Sequence, residues 1–240
     1  MTTLLFREDA YATSCDARVA AVNERGGIIL DQTVFYATAG GQPGDKGTLT
    51  LNGQPIVIAT TVYDEQKNVV HVPAEGQPVP AVGDTVTAAL DWTHRRRIMR
   101  CHTMMHLLCA AVPFPVTGSS ITEDGGRIDF DIPEGQIPDR TALGEKINGW
   151  ITEDHSVSTR WITDEELDAN PELVRTMFVK PPRGTGKVRL VLIGEDGRID
   201  LQPCGGTHVK ATGEIGPILV DKIQNKGKIN RRIRLVLANP

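Results

Sequence analysis

Two short motifs, about a hundred residues apart, carry the strongest chemistry in this 240-residue sequence. The first supplies His102 and His106, and the second supplies Cys204 and His208. Three imidazoles and one thiolate form a ligand set that suits zinc. Half of the six histidines in the chain lie in these two motifs. The sequence therefore predicts one Zn²⁺ per chain, with these four side chains as its ligands.

The elements that must position these side chains are a helix and a tight turn. Residues 91–112 contain no proline or glycine, and their apolar residues recur with helical periodicity. We predict a helix here, capped by Asp91 or Thr93, so that the histidine pair lies one turn apart on one face. Gly205 and Gly206 allow the backbone of the second motif to turn, which brings its cysteine and histidine together.

Two zinc-enzyme classes do not fit the motifs. A metalloprotease helix reads His-Glu-x-x-His with the glutamate as general base, but Thr103 stands in that position. A nucleoside deaminase needs His-x-Glu and Pro-Cys-x-x-Cys, whereas Pro203 and Cys204 are followed by no second cysteine at that spacing. Cys101 precedes the first histidine, but adjacent helical side chains diverge by about a hundred degrees, so we do not expect it to bind the same metal.

The ligand count leaves the role of the metal open. Four protein ligands close a tetrahedral zinc site, and closed sites are usually structural, whereas a catalytic zinc keeps one position open for water. Either one of the four residues is not a ligand, or the shell expands, or the metal only positions the substrate. Thr103, Gln202 and Thr207 are polar neighbours of the ligands, and we predict that they line the substrate pocket.

Composition and charge bound the remaining possibilities. The fractions of hydrophobic residues (40%) and charged residues (23%) are ordinary for a globular protein, and the four cysteines do not form a disulfide framework. No apolar run is long enough to span a bilayer, and the N-terminus does not resemble a signal peptide. We expect a cytoplasmic protein with no membrane partner. The sequence carries no signal of oligomeric state.

Basic residues are concentrated in two stretches, although the net charge is -4. Residues 217–240 contain six basic residues and one acid, a net charge of +5. The second stretch consists of Arg95, Arg96, Arg97 and Arg100. Such local patches fit a limited contact with phosphates, and the alternative is a solvated surface balanced by acids elsewhere.

The fold class that we predict is α+β, with a small β-barrel at residues 1–90 followed by an α+β domain at residues 91–240. Short Val- and Ile-rich segments alternate with turns in the first part, and Asn52-Gly53 is a hairpin signal. In the second part we predict helices at 139–153 and from Thr163, where a capping box begins. Strands are predicted at 127–132, 157–161, 188–193, 198–202, 215–224 and 231–237.

Several motifs resemble the editing domain of alanyl-tRNA synthetase and its freestanding AlaX-type relatives. The resemblance rests first on residues 100–108, which read RCHTMMHLL, and on residues 204–209, which read CGGTHV. It extends to the segments 36–45, 127–131, 212–216 and 231–234, and so covers nearly the whole chain. Ile128 stands where the family has phenylalanine, which we interpret as a packing change.

The resemblance implies an editing hydrolase that cuts the ester between an amino acid and the 3′-terminal ribose of tRNA. An alanine site cannot strongly reject serine or glycine, so a second site corrects the error. The implied substrate is tRNA(Ala) mischarged with serine, with glycine as a further substrate. The chain shows no ATP-site signature for aminoacylation, so it would act in trans.

The residues that we predict to contact the tRNA lie in the two basic stretches and in a glycine pair. The glycine pair, whose alternative role is a plain turn, can let the backbone approach the tRNA or the editing pocket. The full set is Gly40, Gly41, Arg95, Arg96, Arg97, Arg100, Lys226, Lys228, Arg231 and Arg232.

Two other functions remain open at this point. One is a non-catalytic zinc-containing module that binds RNA, and the other is a zinc hydrolase that acts on a small ester or amide. The first predicts tRNA binding without turnover, and the second predicts turnover that needs no tRNA.

Overall fold

The computed structural model describes residues 2–174, 186–227 and 229–239. The chain divides into two compact units, Met1–Arg96 and Arg97–Pro240. Helices and strands are mixed, and one sheet closes into a six-stranded barrel, so the predicted α+β class with a barrel is confirmed. Among the described residues, no helix is both long and apolar enough to cross a membrane.

The first unit is built from eight short strands. Six of them close an antiparallel barrel in the order β2-β3-β7-β6-β5-β8, and β1 pairs with β4 in parallel. The strands are β1 (Thr3–Leu4), β2 (Ser14–Val22), β3 (Ile28–Leu30), β4 (Gln32–Thr33), β5 (Gly47–Leu51), β6 (Gln54–Tyr63), β7 (Val69–Pro73) and β8 (Thr85–Leu90).

Strand alternation fills the barrel interior. On β6, Ile56 and Ile58 are each 1% exposed, whereas Val57 between them is 45% exposed. The β5–β6 hairpin turns at Asn52 (φ 49°) and Gly53 (φ 78°), and positive φ at both turn residues is what the favoured two-residue hairpin requires. The predicted hairpin is therefore confirmed.

A buried arginine in the first unit corrects one predicted tRNA contact. Arg95 is 0% exposed, and its guanidinium forms an ion pair with Asp45. It also donates hydrogen bonds to the carbonyls of Ala10 (2.9 Å) and Val34 (2.7 Å). The prediction that Arg95 contacts tRNA is wrong, because every part of this guanidinium is enclosed by protein.

His71 is the buried histidine of the barrel. Its Nε2 lies 2.8 Å from Thr33 Oγ1, and its Nδ1 lies 3.0 Å from the carbonyl oxygen of Ile28. Burial lowers the pKa of His71 to about 4, because the charged imidazolium is poorly solvated there. His71 is therefore a neutral core residue with both ring nitrogens satisfied.

Three helices were predicted, and all three are present. Helix α1 (Trp92–Ala111) begins after Asp91, whose Oδ1 accepts a hydrogen bond from the backbone N–H of His94 at 3.0 Å. Helix α2 (Arg140–Thr152) is capped by Asp139, and α3 (Asp164–Ala169) begins with the predicted capping box. These cap residues confirm the predicted helix starts.

The described residues of the second unit form two antiparallel sheets. One has the order β14-β15-β10-β9 and the other has the order β11-β12-β13. The strands are β9 (Val116–Thr122), β10 (Gly125–Asp131), β11 (Val157–Thr163), β12 (Lys187–Ile193), β13 (Asp200–Pro203), β14 (Ile218–Asn225) and β15 (Asn230–Leu237). Strands β1, β4, β8 and β9 were not predicted, and the strand predicted at 198–202 begins two residues later.

Candidate metal centre

The four side chains singled out by the sequence converge in the second unit. His102, His106, Cys204 and His208 each offer one donor atom, and these atoms all lie within 4.8 Å of one another. Cys204 Sγ is 3.5 Å from His102 Nε2 and 3.3 Å from His208 Nε2. We refer to these four side chains as the donor cluster.

Helix α1 supplies the first two donors because of its packing. His102 and His106 are 7% and 5% exposed, and their ring centroids are 5.3 Å apart. The helix is held by apolar side chains on its other turns, such as Met99, Met104 and Leu108, each of which is fully buried. The i, i+4 spacing predicted from the sequence thus places both imidazoles on one buried face.

A buried arginine fixes the turn that carries the other two donors. Arg189 on β12 donates hydrogen bonds from one nitrogen to the carbonyls of Cys204 (3.0 Å) and Gly206 (2.9 Å). The backbone N–H of Gly206 in turn donates to Cys204 Sγ at 3.4 Å. These contacts fold the 204–208 loop so that its thiol and the imidazole of His208 face the helix.

Polar partners hold the outer nitrogens of two imidazoles. His106 Nδ1 is 2.8 Å from Asp200 Oδ2 and 3.2 Å from Gln202 Nε2, and Gln202 also donates to that carboxylate at 2.8 Å. His208 Nδ1 is 3.1 Å from Thr103 Oγ1. A partner on Nδ1 fixes the tautomer and the orientation of the ring. Nε2 of both rings is thereby left for the donor cluster.

The electrostatics of the donor cluster favour a cation among its atoms. Burial lowers the pKa of His106, but Asp200 and Cys204 outweigh it and raise that pKa to about 10. Burial raises the pKa of Cys204, but the facing imidazoles of His102 and His208 bring it well below its ordinary value. The cluster therefore stabilises the Cys204 thiolate, which is the form of cysteine that binds a metal ion.

The donor set and its spacing fit a tetrahedral metal. Zinc–sulfur and zinc–nitrogen bonds of ordinary length at tetrahedral angles place S and N about 3.6 Å apart. The two sulfur–nitrogen distances quoted above are close to this value. The cluster can therefore hold a metal ion through three nitrogens and one sulfur.

The remaining cysteines do not join the donor cluster. Cys101 donates towards the carbonyl of Glu123 at 3.5 Å, and burial raises its pKa to about 12. Cys109 is a buried core residue, and Cys15 is half-buried in the barrel unit. The expectation that Cys101 points away from the metal is consistent with this geometry.

The predicted pocket residues lie beside the donor cluster. The Thr103 hydroxyl contacts His208 and also donates to the carbonyl of Met99 at 3.0 Å, so it supports the ring. Gln202 is 8% exposed, and Thr207 is fully buried. A contact of Gln202 or Thr207 with the amino acid stays a prediction.

Some of the predicted tRNA contacts are exposed to solvent, and others form hydrogen bonds or ion pairs with other groups of the protein. Arg96 and Lys226 are exposed. Arg97 pairs with Asp124 at 3.5 Å, and Arg100 donates to the carbonyls of Ile215 and Asn239. Lys228 lies outside the described residues.

Two further predicted contacts, Arg231 and the glycine pair, differ in their exposure to solvent. Arg231 is 4% exposed and donates to the carbonyls of Gly227 and Asn230, so its prediction as a tRNA contact is corrected. Gly40 (φ 57°) and Gly41 (φ 86°) form an exposed turn in the barrel unit, in a backbone conformation that glycine adopts without strain.

Sequence reasoning missed Asp200 and Arg189. Asp200 precedes Gln202 by two positions on β13, so strand alternation places both side chains on the face directed at His106. That alternation, counted back from Cys204, was the signal that could have found Asp200. Arg189 has no comparable signal, because its role depends on strand pairing.

Comparison with known proteins first gives the class of protein. Residues 9–94 match the family described as "tRNA synthetases class II (A)". Residues 188–234 match the "Threonyl and Alanyl tRNA synthetase second additional domain". The barrel unit and the unit with the donor cluster are therefore both of a kind found in aminoacyl-tRNA synthetases.

Whole-chain relatives narrow the class to one family. The alanyl-tRNA editing protein AlaX-M of Methanosarcina acetivorans is 34% identical over 100% of both chains. AlaX-M of Pyrococcus horikoshii is 32% identical over 99% of this chain and 98% of its own. An alanine–tRNA ligase of Pyrobaculum arsenaticum is 36% identical over 93% of this chain and 25% of the ligase. The chain belongs to the AlaX family of alanyl-tRNA editing proteins.

Proposed function

We propose that this protein is a trans-acting aminoacyl-tRNA deacylase that hydrolyses the ester of tRNA(Ala) mischarged with serine, and also with glycine. Water adds to the ester carbonyl, the bond to the 3′-terminal ribose breaks, and the products are the free amino acid and the tRNA with a free hydroxyl. The observation that carries the proposal is the convergence of the four donor side chains in a member of this family.

We further propose that the ion in the donor cluster is one Zn²⁺, bound by His102, His106, Cys204 and His208. A mixed nitrogen and sulfur set favours zinc over magnesium or calcium, which prefer oxygen ligands. When bound, zinc supplies a Lewis acid close to the ester. The proposal also includes the predicted organisation into a barrel domain, 1–90, and an editing domain, 91–240.

The residues around the donor cluster orient it and limit access to it. Asp200 and Thr103 hold the rings of His106 and His208, and Arg189 holds the 204–208 loop. The three imidazoles are almost fully buried, whereas Cys204 is half-buried. We infer that the substrate approaches from the side of the loop, and Thr103, Gln202 and Thr207 are the proposed pocket residues.

A row of cations supports the proposed tRNA contact. On the four-stranded sheet, Lys222 is opposite Arg234, and Arg234 is opposite Arg127. Like charges directly opposite each other destabilise a sheet. These like charges lie on an accessible face of the sheet, and RNA phosphates bound there would offset their mutual repulsion.

Carboxylates only partly neutralise this face. Asp129 pairs with Arg127 at 2.7 Å and with Arg232 at 2.7 Å, and Asp221 lies 3.5 Å from Arg234. With Lys222, four cations share this face with three carboxylates, because Asp131 follows Asp129 by two residues on β10, and a surplus of one positive charge is left for phosphates. Arg232 keeps its proposed role as a tRNA contact, and Arg127 and Arg234 are added to it. Arg96, Lys226 and the turn at Gly40 and Gly41 remain proposed contacts because they are exposed.

The decisive experiment is a deacylation assay with purified tRNA(Ala) charged with serine, glycine or alanine. We expect the protein to release serine and glycine and to leave alanyl-tRNA intact. The Cys204→Ala variant should lose this activity, since it removes the sulfur donor.

The same assay separates the alternatives. Intact seryl-tRNA(Ala) at excess protein would contradict the proposal and, with tRNA binding, would favour a non-catalytic RNA-binding module. Hydrolysis of a simple serine ester at the same rate as the tRNA ester would instead favour a small-molecule hydrolase.

A further inference from the structure

Trp161 is a large exposed side chain that the proposed function has not used. It lies on β11, which is an edge strand of the three-stranded sheet, and it is 38% exposed. A single exposed aromatic residue does not by itself mark a binding site, so the case for a ligand rests on where Trp161 lies in the sheet. Its neighbours in the sheet indicate what that ligand is.

Strand pairing places Trp161 in the same cross-strand row as Arg189 and Cys204, and Cys204 belongs to the donor cluster. Trp161 is directly opposite Arg189, and the backbone N–H of Cys204 donates to the carbonyl of Arg189 at 3.1 Å. Opposed residues point to the same face of a sheet, and two strand spacings amount to about 10 Å. The backbone of Trp161 therefore lies about 10 Å from the backbone of Cys204, and its side chain is on the same face of the sheet as that of Arg189.

The neighbouring row confirms which face this is. Thr159 is opposite Val191, and Val191 is opposite Gln202. The Gln202 side chain contacts His106. Since Thr159 and Trp161 are two residues apart on one strand, the face that bears the indole is the face directed at the histidines.

We propose that Trp161 binds the base of the substrate's 3′-terminal nucleotide by stacking. This inference rests on the proposed function, because it takes the ester on the 3′-terminal ribose as the group presented to the donor cluster. The base is one ribose ring away from that ester, and an indole in the same row offers it a flat apolar surface. Stacking tolerates any base, so it adds affinity and positions the ribose without reading tRNA identity.

The test compares two RNA hairpins that mimic the acceptor stem, one ending in adenosine and one ending in an abasic ribonucleotide, each esterified with serine. Trp161→Leu should raise KM about tenfold on the adenosine hairpin, which is the usual scale of one base–aromatic stack. It should leave kcat unchanged, since the contact is the same in the ground state and the transition state. On the abasic hairpin the same variant should behave as wild type.

Two control variants define the contact. Trp161→Phe keeps an aromatic face and should restore most of the affinity. Arg160→Ala changes the adjacent residue, which is exposed on the opposite face of β11, and should leave KM within about twofold of wild type. An equal rise in KM on both hairpins, or no rise on either, would overturn the stacking site.

A binding measurement keeps this result separate from the proposed function. Uncharged hairpins of both kinds are titrated into wild type and Trp161→Leu. Tighter binding of the adenosine hairpin, lost in the variant, supports stacking even if wild type hydrolyses no ester, in which case the proposed function alone fails. Equal affinities overturn the inference, as does a change in oligomeric mass in Trp161→Leu, which would assign the edge strand to pairing with a second copy.

Discussion

Buried histidines occur in both units of this protein, and they are satisfied in opposite ways. In the barrel, Thr33 and Ile28 contact the two ring nitrogens of His71. In the second unit, His106 and His208 use Nδ1 for a protein hydrogen bond and direct Nε2 at Cys204. The histidines are buried in both units, but the partner of Nε2 differs. In the barrel it is the Thr33 hydroxyl, and in the second unit it is the Cys204 thiol.

His71 and His106 respond to charge in opposite directions, whereas the pKa of His208 is lowered by burial and by the neighbouring His102. Burial lowers the pKa of His71 to about 4, so the barrel excludes a cation from this position. For His106, Asp200 and Cys204 outweigh burial and raise the pKa to about 10. An acidic and a thiol neighbour thus distinguish His106 from His71, a difference that burial alone does not reveal.

The largest expected effect concerns metal content. Purified wild type should contain one zinc per chain, and Cys204→Ala should retain less than about a tenth of it, because a sulfur donor is lost. His71→Gln, which changes the buried histidine of the barrel, should keep the full amount. Elemental analysis measures both variants. Zinc loss in His71→Gln would contradict the assignment of His71 as a core residue that does not bind the metal.

Chelation should destabilise the protein. Removing the ion leaves three buried imidazoles and a half-buried thiol facing one another, so we expect the melting temperature to fall on the order of 10 °C. Calorimetry with and without a zinc chelator measures the shift, and added zinc should reverse it. An unchanged melting temperature with lost activity would assign the metal to catalysis alone.

A smaller effect is expected for the partner of His106. Asp200→Asn removes the charge that orients this imidazole, and changes of this kind typically cost about 10- to 100-fold in metal affinity or activity. Competition with a metal-binding dye measures the affinity. Asp196→Asn, at an exposed position of the preceding turn, is the matched control and should bind zinc as wild type does.

The smallest effect is a pH dependence of stability in the barrel. The pKa of His71 is about 4 in the fold and 6.5 when unperturbed, so the unfolded chain takes up the proton first as the pH falls. The associated stability is complete above pH 6.5 and is lost towards pH 4, amounting to about 2 kcal/mol between pH 7 and pH 5.

Urea unfolding of wild type and His71→Gln at both pH values measures this contribution. Acid also protonates the donor cluster, but it does so in both proteins, so the difference between them isolates His71. The stability advantage of wild type should shrink at pH 5, and an advantage that grows there would contradict the assignment.

Short-range patterns predicted much of the candidate site. The i, i+4 histidines and the glycine turn converge as expected, because helix and turn geometry operate within a few residues. The basic stretch at 95–100 was less informative, since consecutive helical residues point in different directions. Arg95 is consequently buried, whereas Arg96 is exposed.

Long-range pairing accounts for what the sequence did not reveal. Strand β9 reads VTGSSIT, whose central glycine and two serines interrupt its β-branched residues, and its pairing with β10 completes it. Arg189 holds the 204–208 loop only because β12 pairs with β13. Local composition does not reveal these pairings, so neither strand β9 nor the role of Arg189 was predicted.

The alternation of Asp200 and Gln202 along β13, continued by Cys204 directly after the strand, has a consequence for how this gene can change over generations. A single inserted codon within the strand would turn part of this series to the opposite face. Asp200 and Cys204 would then lie on different faces of the sheet. Such an insertion would therefore abolish the site and would not merely weaken it. Among natural variants, length changes should therefore accumulate in the surrounding loops and be absent from β13.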